Sequence, residues 1–70
     1  MEIGLRAVEA IEEMAKKNGT RVSTEYQNIA VPPTVFHNWK YGIFEPSAYY
    51  LRQMALAGYD VIYILTGEKQ

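Results

Sequence analysis

Apolar residues recur at intervals of three and four along residues 2–18, with polar residues between them. That spacing places the apolar side chains on one face of a helix and the charged ones on the other. The apolar face carries Ile3, Ala7, Val8, Ile11, Met14 and Ala15, and the polar face carries Glu2, Arg6, Glu9 and Glu13. Asn18-Gly19 is typical of a helix end, so the pattern predicts one amphipathic helix over residues 2–18.

A second, shorter helix is predicted after this break. Ser23 or Thr24 is suited to cap its start, and the helix continues to about Ile29. Glu25 falls in its first turn, where a negative charge interacts favourably with the positive end of the helix dipole.

A third helix is predicted over residues 33–41. Pro32-Pro33 suits its first turn, because proline lacks only an amide that would have no partner there. Phe36 and Trp39 are three residues apart and can both face inward, and Gly42 can end the helix in a left-handed conformation. The side chains left to point outward are those of Thr34, His37, Asn38 and Tyr41.

A fourth helix is predicted to open at Glu45-Pro46-Ser47 and to continue to about Ala57, where Gly58 closes it. Its inward-facing residues are expected to be Leu51, Met54 and Ala55.

A fifth helix is predicted over residues 61–65, capped by Asp60 and ended by Thr66-Gly67. Connections are short, and no repeat or linker interrupts the chain. The sequence therefore predicts an all-α fold, a compact bundle of about five short helices that forms a single domain over residues 1–70.

Composition restricts the class of protein further. The chain has 70 residues, 49% of them hydrophobic, and no apolar run near the roughly 20 residues that a membrane span needs. It has no cysteine, so disulfides and thiolate metal sites are excluded. The N-terminal Met-Glu-Ile-Gly does not resemble a secretory signal, which predicts a cytoplasmic protein with no membrane partner.

The net charge of −1 is unusual for a protein that binds nucleic acid, because lysine and arginine supply most of the sequence-independent affinity. The charges are, however, unevenly distributed. The first helix holds the carboxylates of Glu2, Glu9, Glu12 and Glu13. Between residues 16 and 40, opposed only by Glu25, lie Lys16, Lys17, Arg21, His37 and Lys40. This separation indicates either a basic binding surface or simply a charged face in water.

Catalytic chemistry has little support in the sequence. With one histidine and no cysteine, a metal site would depend on scattered carboxylates. No glycine-rich phosphate loop or nucleophile elbow is present, and Ser23 and Ser47 are better explained as capping or turn residues. We therefore expect no enzyme activity, no catalytic or metal-binding residues, no cofactor and no small-molecule substrate.

The order and spacing of residues along the chain also carry a family resemblance. The residues concerned are Ile29-Ala30-Val31, Phe36, Trp39-Lys40-Tyr41-Gly42, Pro46, Leu51, Ala55, Gly58 and Tyr63-Ile64-Leu65-Thr66-Gly67-Glu68. Over about residues 3–68 the chain resembles the phage repressor and Cro type of helix-turn-helix domain, which has the lambda-repressor-like (XRE-type) fold. The resemblance implies a transcriptional regulator of the phage or prophage repressor type, either a complete small regulator or the N-terminal DNA-binding domain of a larger repressor, that binds double-stranded DNA as a homodimer.

Two positions depart from the family pattern. The family usually has a small residue within its second helix and a glycine four residues later, where this chain has Tyr26 and Ala30. Tyr26 would fit between closely packed helices only if they separate. Ala30 would have to adopt a conformation that favours glycine by roughly 1 kcal/mol.

The resemblance implies direct readout of bases in the major groove by helix 33–41. The residues expected to contact bases are Pro33, Thr34, His37 and Asn38, with Thr34 and Asn38 the first choices. The residues expected to contact phosphates are Lys17, Arg21, Lys40 and Tyr41.

A protein-interaction or dimerisation module on the same fold is the alternative function. Six tyrosines are more than so small a core can hide, and interfaces favour aromatic residues with exposed edges. The residues expected at a dimer interface are Tyr49, Leu56, Tyr59 and Tyr63. These tyrosines can equally cover the bundle with their hydroxyls in water.

Overall fold

The structure, a computed structural model, describes residues 2–69 of the chain. Five helices make up its regular structure: α1 (Glu2–Asn18), α2 (Val22–Asn28), α3 (Pro33–Lys40), α4 (Ala48–Leu56) and α5 (Val61–Thr66). The described residues contain no strand. The prediction of an all-α bundle of about five short helices is confirmed, and most helix ends lie within one or two residues of their predicted positions.

α1 packs against α2, α3 and α5, which makes it the central helix of the bundle. Its predicted apolar face is buried or packed against the core throughout. Gly4 lies on this face, and a Cβ atom added there would be 3.1 Å from the carbonyl oxygen of Trp39. The absence of a side chain at Gly4 therefore allows α1 and α3 to approach closely.

Arg6 was assigned to the polar face of α1, but its side chain is partly buried and holds α5 in place. Its Nε donates to the carbonyl of Ile64 at 2.8 Å, and Nη2 donates to the carbonyl of Leu65 at 3.2 Å. A cation that binds the last carbonyls of a helix satisfies their hydrogen bonds and interacts favourably with the dipole. Arg6 thus joins the first helix to the last.

The predicted start of α2 is wrong. The helix begins at Val22 with Arg21 at the capping position and no side-chain cap, so neither Ser23 nor Thr24 caps it. Glu25 does lie in the first turn, as predicted, but it is buried at 6% exposure and accepts hydrogen bonds from the Thr20 hydroxyl and the Asn18 amide. Those two polar partners, which precede the helix, allow a carboxylate to occupy a buried position.

In the C-terminal half of the chain, the predicted cap at Asp60 is confirmed and the predicted inward position of Ala55 is wrong. Asp60 caps α5, its carboxylate accepting from the backbone N–H of Tyr63 at 3.0 Å, and Gly67 ends the helix with φ of 79°. In α4, Met54 is fully buried and Leu51 packs against the core, but Ala55 is exposed instead of facing inward.

Candidate nucleic-acid interface

α3 is anchored by two aromatic side chains. Trp39 is 1% exposed and Phe36 is also buried, which confirms both as core residues. Trp39 meets the ring of Tyr50 edge-on, with ring centroids 5.5 Å apart. Because both anchors lie on one side of α3, its opposite side is directed away from the core.

The ends of α3 are fixed by its backbone. Pro32 is extended at the N-terminal cap, and its carbonyl accepts from the N–H of Phe36 at 3.0 Å. At the other end Gly42 has φ of 70°, as predicted, and the N–H of Ile43 donates to the carbonyl of Asn38 at 2.9 Å. This left-handed glycine turns the chain away after Tyr41.

The connection from α2 to α3 is a Schellman-type turn. The N–H of Val31 donates to the carbonyl of Tyr26 at 2.9 Å, and the N–H of Ala30 donates to that of Gln27 at 3.0 Å. Ala30 has φ of 58° and is the one residue other than glycine with positive φ in the described chain. The alanine thus adopts the left-handed conformation that the family pattern would require at this position.

The outward side of α3 carries the residues predicted to contact bases. Pro33, Thr34 and His37 are exposed, whereas Asn38 is only partly exposed. The Asn38 side chain borders a small cavity between α3 and the start of α4, together with Phe44 and Ser47. The structure thus places all four on one continuous helical surface, with Asn38 at its edge.

The residues predicted to contact phosphates do not form one group. Lys40 and Tyr41 are exposed at the end of α3, and the ring of Tyr41 lies 4.5 Å from that of His37. Arg21 is exposed at the start of α2. Lys17 instead lines a groove between α1 and α5, and no residue of α2 or α3 lines that groove. The structure therefore separates Lys17 from the outward side of α3.

Of the residues predicted at a dimer interface, Tyr49 and Leu56 are well exposed and Tyr63 is partly exposed. Tyr59 is a correction, because its ring is part of the core and only 8% of its surface is exposed. Its hydroxyl is buried, and no hydrogen-bond partner for it lies among the described residues. Burial, and secondly the negative charge of Glu25, raise the pKa of Tyr59 to about 12.

Several exposed apolar side chains were missed by the sequence analysis. They are Leu5, Ile43, Phe44, Ile62 and Leu65. Helical spacing does contain a signal for α5, since an inward Ile64 requires residues 62 and 65 to face outward. No comparable signal exists for Ile43 and Phe44, which lie in the loop after α3.

Comparison of the chain with protein-family models, with curated proteins and with solved structures finds no match. Within residues 2–69, no helix is both long and apolar enough to span a membrane.

Proposed function

We propose that this chain is a cytoplasmic, sequence-specific regulator of transcription of the phage-repressor type, which places α3 in the major groove of double-stranded DNA. One observation carries the proposal: Phe36 and Trp39 anchor α3, while Thr34 and His37 are exposed on its other side. An anchored helix with polar side chains on its free face can present them to base edges with little loss of conformational entropy.

Thr34 and Asn38 are the principal base-reading residues in this proposal, with Pro33 and His37 beside them. An asparagine amide can donate to and accept from one adenine, and a threonine can offer a hydroxyl or contact a thymine methyl. The Asn38 side chain makes no hydrogen bond within the described residues, so its amide is not committed to another group of that part of the chain.

Phosphate contacts are assigned to Arg21, Lys40 and Tyr41, with Lys17 a more distant fourth. Arg21 at the start of α2 and Lys40 at the end of α3 are exposed and have no ion-pair partner in the described chain. Cations on both helices of the pair would position α3 without reading sequence. Because one chain offers only a few cations to phosphates, two such basic surfaces on one DNA site are the more favourable arrangement.

A homodimer is the second part of the proposal. Near the end of the chain, Leu56 is 71% exposed, and Ile62 and Leu65 are also exposed. Apolar side chains on α4 and α5 are suited to a self-complementary interface, which Tyr49 and Tyr63 would border. We expect Leu56→Asp to convert a dimer to a monomer in sedimentation equilibrium, whereas Leu5→Asp on α1 leaves the mass unchanged.

A protein-interaction module is the alternative function. It is favoured by the exposed Ile43 and Phe44, which lie in the loop after α3 and would suit an apolar partner better than phosphates. Under this alternative the chain would fold but bind no DNA by itself.

Selection of bound duplexes from a random DNA pool at low salt tests the proposal. We expect enrichment of a two-fold symmetric motif with half-sites about 34 Å apart, one helical turn, as two α3 helices on one DNA face require. If folded protein enriches no sequence, DNA binding by this chain alone is excluded and the interaction module is favoured.

A further inference from the structure

A groove of about 480 Å³ runs between α1 and the segment from Gly58 to Tyr63. Its apolar lining comes from Ala10, Met14, Tyr59 and Tyr63. Its size is within the range of sites that hold a ligand or a few side chains of a partner. Neither α2 nor α3 contributes to it, so the groove is distinct from the base-reading side of α3, although Lys17, the most distant of the proposed phosphate contacts, lines it.

The charges around this groove are not paired. The carboxylates that line it are those of Glu9, Glu13 and Asp60. Among the described residues, neither Glu9 nor Glu13 forms an ion pair or hydrogen bond, although Lys17 and Lys69 line the same groove. Asp60 uses one oxygen to cap α5. The carboxylates do not converge as a group of three metal ligands in residues 2–69, so an inorganic cation is not the ligand favoured here.

A lysine already occupies part of the groove. The ammonium nitrogen of Lys69, in the segment after α5, lies 5.5 Å from the centroid of the Tyr63 ring. This distance is within the range of a cation–π interaction. Lys69 therefore shows that a lysine outside a helix fits over Tyr63, beside carboxylates of Glu9 and Glu13 that have no ion-pair partner among the described residues.

We propose that the groove between α1 and α5 binds a lysine-bearing peptide segment of a partner protein. The alkyl stems of such lysines would lie on Met14 and the tyrosine rings, and their ammonium groups would reach Glu9, Glu13 and the Tyr63 ring. The segment would displace Lys69, which acts as an internal competitor. The lining carries three carboxylates against two lysines, and the segment would displace one of these lysines; this excess of negative charge supports a basic occupant over an acidic or neutral one.

Titration of the isotope-labelled chain with acetyl-Lys-Leu-Lys-Leu-Lys-amide, followed by amide chemical shifts, tests the proposal. We expect saturable shifts confined to residues 9–17, 58–63 and 69, and none with the peptide in which glutamate replaces each lysine. Shifts distributed over the whole surface, or equal binding of the acidic peptide, would overturn the proposal.

Two pairs of variants with equal changes in charge complete the test. Glu13→Gln should weaken binding of the basic peptide by about threefold. Glu12→Gln, which changes an adjacent residue outside the groove, should have a smaller effect. Lys69→Gln should tighten binding by about threefold because the Tyr63 ring becomes free, and Lys16→Gln should not. Equal effects within either pair would show that net charge, not the groove, controls binding. The four variants change neither α3 nor Lys17 nor Tyr63, so failure of peptide binding and failure of the DNA selection remain distinguishable.

Discussion

The ring of Tyr26 in α2 stacks on the ring of Phe36 in α3, with centroids 4.6 Å apart and planes inclined by 28°. Phe36 is itself buried in the core, so this contact joins α2 to a residue that anchors α3. An aromatic residue at position 26, where the resembled family has a small one, is thus accommodated by stacking.

The Tyr26→Ala variant should lose about 2 kcal/mol or more of unfolding free energy, because it removes both the stacking and the apolar area that covers Phe36. Tyr26→Phe is the matched control. The Tyr26 hydroxyl makes no hydrogen bond among the described residues, so the control should stay within about 0.5 kcal/mol of the parent. Urea denaturation measures both values, and similar losses in the two variants would contradict the assignment to stacking.

Replacing Ala30 by glycine should stabilise the fold by about 1 kcal/mol. Ala30 has φ of 58°, a left-handed conformation that is strained for alanine and unstrained for glycine. Ala10→Gly, in the middle of α1, provides the opposite control and should destabilise by about 1 kcal/mol. Thermal unfolding of both variants checks the prediction. A loss of stability in both would mean that Ala30 is not strained.

Removing the buried hydroxyl of Tyr59 by Tyr59→Phe should stabilise the protein by about 1 kcal/mol, because no residue from 2 to 69 forms a hydrogen bond with that buried oxygen. The pKa of Tyr59 is raised to about 12, so the folded state retains this proton where the unfolded state loses it. The contribution of this Tyr59 proton to the unfolding free energy is fully present below about pH 10 and is lost as the pH rises toward 12.

Denaturation of the parent and Tyr59→Phe at several pH values between 8 and about 12 measures this difference. Subtracting the two plots of unfolding free energy against pH removes the contribution of the other tyrosines and the lysines, which both proteins share. The advantage of the variant should grow above about pH 10. A constant difference across this interval would show that Tyr59 ionises as easily when folded.

Asn38→Ala and Thr34→Ala should each cost about 1 to 3 kcal/mol at the preferred DNA site and relax base preference at one position. The physical reason is the loss of hydrogen bonds to a base edge. Selection repeated with each variant measures the preference. If every position keeps its preference in both variants, α3 does not read these bases.

Lys40→Ala should instead weaken binding to all sequences and reduce the slope of log affinity against log salt by about 1. Lys17→Ala should have a smaller effect, because Lys17 lies in the groove between α1 and α5 with acidic residues. Fluorescence anisotropy at several salt concentrations gives the slope for each variant and so separates the two effects. Equal slopes for both variants would place Lys17 at the DNA backbone as well.

The sequence by itself determined the number of helices, their order and most of their ends. Helical periodicity, Asp60 as a cap, and Gly42 and Gly67 as left-handed ends all act through neighbours along the chain, so they are visible in the sequence. The inward positions of Phe36 and Trp39 follow from the same periodicity.

Only the tertiary structure decided which polar and aromatic residues are enclosed. Glu25 is buried because Thr20 and Asn18 supply hydrogen bonds, and Arg6 is partly buried because the end of α5 lies beside it. Tyr59 is in the core although its residue type suits an interface equally well. These outcomes depend either on contacts between residues distant in sequence or on a local geometry that no residue pattern indicates. Helical periodicity does not specify which helix packs against a given side chain.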